Sequence, residues 1–384
     1  MRLKSLEYTE FESVPGEWAL QGFTPGNANL LVGKNASGKS RVLNVIHKVA
    51  LAIVGERKRL PYSNGHAFFV FDEEGWESQY ELKIQGNKII TERFTVADEI
   101  RLHRTSGGKG KIHADREGKM IEFQSPEDQL AVVTRRDTLQ HPFFESLHQW
   151  ATSLYYYAFG TSLGKESFWM LYGEDDDLDA DPKDPTQVVG IFHGGKKEFG
   201  DAFANGIFED FRSVGYPVDE IGLVVNRSII VQTPTASEAA FGIYVQETDL
   251  PGITDQNAMS QGMFRALSII IQLNYAILAD TPSCILIDDI GEGLDFERSC
   301  NLIEVLMRKV KDSPVQLIMA TNDRFVMNHV PLEAWSVVDR QGSRVTIRNY
   351  ANSKEIFDNF KFTGLNNFDF LAFDYLHAGA GSAE

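Results

Sequence analysis

An eight-residue segment near the N-terminus constrains this 384-residue chain more than any other feature. It matches the pattern G-x-x-x-x-G-K-[ST] and reads Gly33-Lys34-Asn35-Ala36-Ser37-Gly38-Lys39-Ser40. An apolar run ending at Val32 precedes it, and apolar residues at helical spacing follow from Val42 to Ile53. A strand, a glycine-rich loop and a helix N-terminus together present backbone N–H groups to phosphate. The segment therefore predicts a phosphate-binding loop, the alternative being an ordinary glycine-rich surface loop.

The side chains of this loop predict its ligand. The Lys39 ammonium is expected to neutralise the β- and γ-phosphates of ATP, and the Ser40 hydroxyl is expected to ligate Mg²⁺. Arg41 follows in the first helical turn and is counted among the residues that contact the nucleotide. ATP and Mg²⁺ are therefore the predicted cofactors.

A second motif supplies carboxylates at the end of a buried strand. Cys284–Ile287 is apolar, and Asp288 and Asp289 follow it directly. Because α/β sheets bind ligands at the carboxyl ends of their strands, we expect Asp288 to hold Mg²⁺ through its water ligands. Asp289 is then placed to orient or deprotonate the attacking water. On its own, an Asp-Asp pair after a strand is also typical of a helix N-cap or a turn.

A third motif, Met259-Ser260-Gln261-Gly262, lies about one helix before Asp288 in the chain. It opens a helical pattern that ends at Leu278. A serine and a glycine at a helix N-terminus form a second anion site. The same residues also suit an ordinary capped helix.

The order of these motifs resembles that of ABC-type ATPases, and more narrowly that of the heads of SMC, RecF and OLD-type proteins. The resemblance is specific over residues 1–55 and 255–340 and loose between them. It implies an α/β fold, a P-loop NTPase with an ABC-type mixed sheet, together with an antiparallel β-hairpin lobe and a helical signature lobe.

The resemblance also implies roles for residues outside the phosphate loop. Ser260 and Gly262 would belong to the signature motif, which contacts the γ-phosphate held by the opposite subunit. Asp295, in Gly293-Leu294-Asp295, falls at the D-loop of the dimer seam, and Asn322 falls at the switch position. Because one chain carries one phosphate loop and one signature, two chains arranged head to tail would form a homodimer with two ATP molecules at its interface.

Two positions depart from the family pattern. Asp289 stands in place of the usual catalytic glutamate and is one methylene shorter. Asn322 stands in place of a histidine and cannot titrate as histidine does. We count Lys39, Asp289 and Asn322 as the catalytic residues and expect slow turnover rather than none, since misplacing the attacking water is costly.

The resemblance extends to stand-alone ATPase subunits of bacterial anti-phage defence systems, whose effector, such as a nuclease, is a separate polypeptide. It implies an ATPase whose dimer cycle acts on DNA or on such a partner, in defence or in DNA repair. The main alternative is a nucleotide-gated scaffold that binds ATP and sequesters a partner with little turnover. A transporter motor is disfavoured, because the hairpin lobe is large and the signature lacks the Leu-Ser-Gly-Gly-Gln form.

The chain divides into four predicted regions. They are the first strands and phosphate loop at 1–60, an inserted hairpin and helical lobe with an acidic loop (173–185) at 61–255, the signature helix, acid-tipped strand, D-loop and switch at 256–350, and an aromatic segment with a tail at 351–384. In the insertion we predict a helix over Lys197–Val214 and a strand over Gly222–Gln232. The aromatic segment Phe357–Leu376 either packs onto its own domain or docks a partner protein.

Charge and composition limit which binding partners and which cellular compartment the sequence predicts. The net charge of −17 argues against nucleic-acid binding by the whole surface. The stretch 101–119 is nevertheless basic and is either a contact for DNA phosphate or a solvated hairpin; it contains Arg101, Arg104, Lys109, Lys111, Arg116 and Lys119. Two cysteines, Cys284 and Cys300, fit a reducing cytoplasm. No apolar run is long enough to span a bilayer, so no membrane contact is expected.

Overall fold

The computed structural model describes residues 1–57, 59–73, 75–171, 180–225 and 239–378. Within these ranges the strands, in chain order, are β1 (Arg2–Glu10), β2 (Trp18–Phe23), β3 (Ala28–Val32), β4 (Gly65–Glu73), β5 (Trp76–Gln85), β6 (Lys88–Val96), β7 (Glu99–Thr105), β8 (Lys109–Ala114), β9 (Lys119–Gln124), β10 (Leu154–Ala158), β11 (Trp169–Leu171), β12 (Val218–Val225), β13 (Ala239–Glu247), β14 (Ile253–Asp255), β15 (Ser283–Asp288), β16 (Val315–Ala320), β17 (Trp335–Gln341) and β18 (Arg344–Asn349). The helices are α1 (Lys39–Val54), α2 (Ala131–Thr134), α3 (Phe144–Thr152), α4 (Val188–Phe199), α5 (Asp201–Val214), α6 (Gln261–Leu278), α7 (Phe296–Val310), α8 (Arg324–His329), α9 (Tyr350–Lys361), α10 (Asp369–Ala372) and α11 (Tyr375–Ala378). Short 3₁₀ turns cover Ser106–Gly108, Asp115–Glu117, Pro185–Gln187 and Leu332–Ala334.

One large mixed sheet organises the described residues. Its strand order is β10-β15-β16-β3-β17-β18-β2-β1-β4-β5-β6-β7-β8-β9. The strands from β10 to β17 are parallel to their neighbours, and so is the β18–β2 pair. The β17–β18 pair and all pairs from β2 to β9 are antiparallel. The predicted α/β fold with a mixed sheet and a hairpin lobe is confirmed.

The antiparallel half follows from a sequence period of two. In β5, Ser78, Tyr80, Leu82 and Ile84 are buried, and the residues between them are less so. The turn 86–87 joins β5 to β6, with φ of 58° at both residues. Two consecutive residues with positive φ form the tight turn that matches the twist of a hairpin.

Apolar side chains of the parallel strands fill two cores, one on each face of the sheet. On β3, Leu30 and Val32 enter one core and Leu31 enters the other. Helices α4 to α7 contribute to the first core, and α1 and α3 contribute to the second. Because α1 begins just after β3, the loop between them runs from the edge of the sheet to its second face.

The helical lobe has a small sheet of its own. Strands β11, β13 and β12 are paired in that order, and β14 pairs with β13. Helix α6 packs against α4 and α5, and those two helices contact the small sheet. This arrangement is the helical signature lobe expected from the sequence.

The structure corrects or limits some predictions inside the insertion. The helix predicted over Lys197–Val214 is wrong at its start, because Gly200, with φ of 58°, separates α4 from α5. Strand β10 lies beside β15 in the parallel half of the main sheet. The predicted strand Gly222–Gln232 is described only to residue 225, and residues 173–179 of the acidic loop lie outside the described residues.

The C-terminal aromatic segment is partly core. Phe357, Phe360 and Phe370 are buried in the first core, with the Phe370 ring against Trp335. This is the packing onto its own domain that the sequence allows. Phe362 and Phe373 are 89% and 64% exposed, so part of the segment faces solvent.

A buried ion pair anchors the hairpin lobe. Arg104 and Glu92 are both fully buried, 3.4 Å apart. Arg104 also donates to the Gln129 carbonyl at 2.6 Å, while Glu92 accepts the N–H groups of Ala131 and Val132 at the start of α2. Both alternatives for the stretch 101–119, a contact for DNA phosphate and a solvated hairpin, are therefore wrong for Arg104, because its side chain is buried. Ion pairs also compensate other members of that stretch, namely Arg101–Glu99, Lys111–Glu122 and Lys119–Glu117.

Both cysteines are buried and neither is in a disulfide. Burial raises the pKa of the Cys284 thiol to about 12. Among the described residues, no helix combines the length and the apolar character needed to cross a bilayer.

Candidate functional site

The motifs found in the sequence converge at one edge of the main sheet. Strands β10, β15, β16 and β3 are parallel neighbours, so their carboxyl ends share that edge. Loop 33–38 follows β3, Asp288 ends β15, and Asn322 follows β16. The structure therefore brings the phosphate loop, the carboxylates and the switch position to the same side of the molecule.

The loop backbone requires glycine at both ends. Gly33 has φ of 154° and Gly38 has φ of 111°, conformations that residues with a Cβ rarely adopt. A Cβ on Gly33 would also lie 2.7 Å from the Val338 carbonyl oxygen. Helix α1 begins at Lys39 without a side-chain cap, so its first backbone N–H groups have no intrahelical acceptor and are available to an anion.

Lys39 lies across this loop. Its buried ammonium donates to the carbonyl oxygens of Gly33 at 2.8 Å and Lys34 at 3.2 Å. Burial lowers the pKa of Lys39, an effect that the nearby Asp289 and Asp288 oppose. Because a buried charge is costly unless an opposite charge accompanies it, this position favours an anionic ligand.

Ser40 and Asp288, the predicted Mg²⁺ ligands, are in direct contact. Ser40 Oγ donates to Asp288 Oδ1 at 3.0 Å, and the Tyr156 hydroxyl donates to Asp288 Oδ2 at 3.3 Å. Burial raises the pKa of Asp288, although both hydrogen bonds oppose that effect. A hydroxyl and a carboxylate side by side are oxygen ligands of the kind that Mg²⁺ takes together with substrate phosphates, so these residues fit the ion.

An unsatisfied hydroxyl lies in the same loop. Ser37 is buried, and its Oγ has no hydrogen-bond partner within the part of the chain that the structure describes. Buried polar atoms are normally hydrogen-bonded, so a phosphate oxygen in the loop would satisfy this one. Together with the buried Lys39, this orphaned hydroxyl fits a bound triphosphate.

Asp289 has an unusual backbone conformation. Its φ is 54°, in the left-handed region, and its carbonyl accepts the N–H of Glu292 at 3.2 Å, closing a tight turn after β15. Aspartate and asparagine adopt this conformation more readily than longer side chains. The turn therefore gives a structural reason for aspartate, rather than the longer glutamate, at this position.

Asn322 is exposed in the loop that follows β16. Thr321 Oγ1 donates to the Ile290 carbonyl at 3.1 Å, and the Asp323 carboxylate caps α8 by accepting the N–H of Phe325 at 2.7 Å. The switch loop is thus tied to the turn after β15, and the Asn322 side chain faces outward at the site edge.

The predicted signature residues lie beside the predicted D-loop of their own chain. Ser260 Oγ accepts a backbone N–H at 3.1 Å and caps α6, as the capped-helix alternative predicts. A Cβ on Gly262 would lie 2.5 Å from the Gly293 carbonyl oxygen, so only glycine permits this packing. Asp295 caps α7 by accepting the N–H of Arg298 at 3.0 Å. Contact of Ser260, Gly262 and Asp295 with the nucleotide of another subunit stays a prediction.

Solved structures share this architecture. The crystal structure of an SMC head bound to the C-winged helix domain of ScpA matches 91% of this chain and 98% of its own, at a TM-score of 0.51 and 11% identity. The chain has the fold of an SMC head domain. Heads from Thermotoga maritima and Pyrococcus furiosus cover 91% and 94% of this chain and 99% of their own, at 16% and 12% identity, with TM-scores of 0.43 and 0.48. No family model and no curated protein matches the chain.

Within this SMC-head fold, sequence reasoning missed Tyr156 and His47. The two rings stack 4.7 Å apart, 11° from parallel, beside Asp288. Burial lowers the pKa of His47 to about 4, so this ring is neutral at pH 7. Tyr155, Tyr156 and Tyr157 are adjacent in the sequence of β10. Only the register that sets Tyr156 opposite Leu286 shows which of the three tyrosines faces α1.

Arg41, a predicted nucleotide contact, is engaged elsewhere in this fold. Its guanidinium lies 4.5 Å from the centre of the Trp18 ring and pairs with Glu10. These contacts tie the first turn of α1 to the β1–β2 hairpin. A role for Arg41 toward ATP stays a prediction.

Proposed function

We propose that the protein is an ATPase that binds Mg-ATP at residues 33–41 and hydrolyses it slowly. The observation that carries this proposal is the 3.0 Å contact between Ser40 Oγ and Asp288 Oδ1, two residues 248 positions apart in the chain. That contact places a phosphate-loop hydroxyl against an acid that ends a neighbouring strand, which is the arrangement a P-loop Mg²⁺ site needs.

Each site residue has a role in the proposed reaction. The Lys39 ammonium and the first N–H groups of α1 would bind the β- and γ-phosphates. Ser40 and Asp288 would hold Mg²⁺, which when bound neutralises charge on the phosphate oxygens. Asp289 would orient the attacking water and accept its proton, and Asn322 would donate a hydrogen bond to the γ-phosphate. The short side chain at Asp289 limits the alignment of water, which supports slow turnover.

The proposed working state is a head-to-tail homodimer with two ATP molecules at its interface. Ser260 and Gly262 would contact the γ-phosphate bound by the second subunit, with Asp295 at the seam. Phe296 and Phe325 are 58% and 41% exposed, with ring centroids 4.9 Å apart, at the starts of α7 and α8. An exposed aromatic pair directly after the D-loop supports burial against a second copy of the chain.

The dimer cycle would act, in the cytoplasm, on a separate effector such as a nuclease or on DNA, in anti-phage defence or DNA repair. The SMC head in the first matching structure is bound to a domain of ScpA, and exposed Phe362 and Phe373 give this chain apolar surface for a partner. An effector is favoured over direct contact with DNA, because Arg104 is buried and carboxylates compensate much of the stretch 101–119.

A nucleotide-gated scaffold is the second candidate. The backbone turn that favours aspartate at position 289 is the observation behind it, because a shorter carboxylate suits ATP binding as well as glutamate does but suits hydrolysis less. In this alternative the ATP-bound dimer sequesters a partner protein and turnover has no role.

ATP turnover by the purified protein with Mg²⁺ tests the proposal, alongside Lys39→Ala and Asp289→Asn and with the mass of each measured by light scattering. Asparagine tolerates the left-handed backbone, so Asp289→Asn removes the carboxylate and keeps the turn. We expect both variants to lose turnover and only Asp289→Asn to form ATP-dependent dimers. Dimers without turnover by the wild type would favour the scaffold, and no ATP binding at all would refute both candidates.

A further inference from the structure

Arg265, in the second turn of α6, donates a hydrogen bond from each of its three guanidinium nitrogens to the loop after β10 or the turn after β15. Its Nε donates to the Thr161 carbonyl at 2.6 Å and its Nη2 to the Gly160 carbonyl at 2.6 Å. Its Nη1 donates to the Glu292 carbonyl at 2.9 Å. Hydrogen bonds from a charged donor are roughly twice as strong as neutral ones, and the planar guanidinium fixes the three acceptors relative to one another.

Close backbone contacts surround this guanidinium. A Cβ on Gly262 would lie 2.5 Å from the Gly293 carbonyl oxygen, and one on Gly293 would lie 2.7 Å from Arg265 Nη1. A Cβ on Gly160 would overlap the Glu292 carboxylate. The first turn of α6 and the turn after β15 are therefore packed too closely for a side chain at Gly262, whereas the contacts at Gly160 and Gly293 are with the ends of side chains.

We call Arg265 and its three carbonyl acceptors the clamp. It lies between the proposed catalytic residue Asp289 and the predicted signature residues Ser260 and Gly262. The N–H of Glu292, whose carbonyl Arg265 holds, donates to the carbonyl of Asp289 at 3.2 Å. At the other end, Arg265 lies about one helical turn from Ser260 and Gly262. A displacement of the signature turn therefore has to move the turn of Asp289 or break charge-assisted hydrogen bonds.

We infer that Arg265 is a positioning residue that couples the two nucleotide sites of the dimer. ATP bound by the second subunit presses on Ser260 and Gly262, and Arg265 carries that displacement to Asp289 of the same chain. The inference rests on the proposed head-to-tail dimer. The competing role is purely structural, in which the clamp stabilises the fold and transmits nothing between sites.

Amide hydrogen exchange in the nucleotide-free protein tests the clamp itself. Arg265→Lys keeps the charge but cannot donate to three diverging carbonyls, so exchange at 160–163 and 291–294 should become about tenfold faster. Arg212→Lys is the matched control, because Arg212 donates to the Val218 carbonyl at 2.9 Å in the same lobe. It should leave exchange at both loops as in the wild type. Unchanged exchange in Arg265→Lys would overturn the inference.

The dependence of turnover on ATP concentration tests the coupling. We expect the wild type and Arg212→Lys to be cooperative and Arg265→Lys to show a simple hyperbola. ATP affinity at protein concentrations too low for dimers should stay within about twofold of the wild type, because the clamp does not touch the phosphate loop. Cooperativity retained in Arg265→Lys, or absent from an active wild type, would overturn the coupling and leave the structural role.

A second variant protects the test against misfolding. Arg265→Gln leaves the surrounding glycines unchanged and keeps at most two of the three hydrogen bonds, so it should reproduce both effects of Arg265→Lys. Failure of the proposed function is distinguishable: a wild type that binds no ATP refutes that function and the coupling with it, whereas cooperativity retained in Arg265→Lys refutes the coupling alone. The exchange measurement needs no nucleotide and still decides whether Arg265 holds the two loops.

Discussion

Removing the Tyr156 hydroxyl should weaken Mg²⁺ binding without disturbing the fold. Tyr156→Phe deletes the 3.3 Å contact to Asp288 Oδ2, along with an interaction with the Asn44 side chain, and leaves Ser40 on Oδ1. Hydrogen bonds to charged groups contribute about 1.5–3 kcal/mol, and 3.3 Å is long for a hydroxyl donor, so about 1 kcal/mol is expected here. Since about 1.4 kcal/mol corresponds to tenfold in affinity, half-saturation should require about fivefold more Mg²⁺.

Calorimetric binding of a non-hydrolysable ATP analogue across a Mg²⁺ series measures this effect. The carboxylate loses its second hydrogen bond, so the ion itself has to orient it. Removing a group that hydrogen-bonds a metal ligand weakens metal binding. In EDTA, Tyr156→Phe and the wild type should bind the analogue alike. Tyr155→Phe is the matched control, because that neighbouring tyrosine enters the opposite core. An unchanged Mg²⁺ requirement, or an equal change in the control, would refute the reasoning.

The buried ion pair, the C-terminal segment and the exposed aromatic pair give further tests. Arg104→Met should lower the free energy of unfolding by about 3–5 kcal/mol in denaturant titrations, because it leaves the Glu92 carboxylate buried without its cation. Asp374 raises the pKa of His377 above its usual 6.5, so the contacts of α11 should be complete below pH 6.5. These contacts should loosen as the pH rises through the raised pKa, seen as lower protection factors in hydrogen exchange of α10 and α11. Phe296→Ser should weaken the ATP-dependent dimer about tenfold in sedimentation experiments.

Each of these tests has a control in the same chain. Combining Arg104→Met with Glu92→Gln should recover part of the lost stability, because the amide carries no charge and its oxygen can still accept the N–H groups at the start of α2. His377→Gln should remove the pH dependence of the protection factors, and Phe373→Ser should leave the dimer intact. The corresponding argument would be contradicted by Arg104→Met being as stable as the wild type, by protection factors of α10 and α11 that do not change with pH, or by Phe296→Ser forming the dimer as the wild type does.

The contact between Ser40 and Asp288 is of a kind that sequence can predict. Each motif fixes its own local structure, and parallel strands bring their carboxyl ends to one edge of the sheet. The role of Tyr156 was not predicted, because its orientation depends on the register between β10 and β15. Packing on both faces of the sheet determines that register. No local pattern shows which of several adjacent tyrosines turns toward α1.

Arg104 and Arg265 show a different limit. Arg104 lies in a glycine-rich, basic stretch that suggests exposure, yet a distant carboxylate and the carbonyls near α2 make its burial possible. The hydrogen-bond partners of Arg265 depend on where two loops from other parts of the chain contact the start of α6. Long charged side chains are therefore the residues whose partners sequence patterns predict least well, since their contacts are set by tertiary structure.

The burial of both cysteines has a practical consequence. Cys284 lies in β15 and Cys300 in α7, and thiol-reactive dyes do not reach buried thiols in a folded protein. A cysteine introduced at an exposed position such as Glu297 would then carry the only dye on each subunit. Energy transfer between two labelled copies would follow the distance between heads in real time, with every native residue of the core left in place.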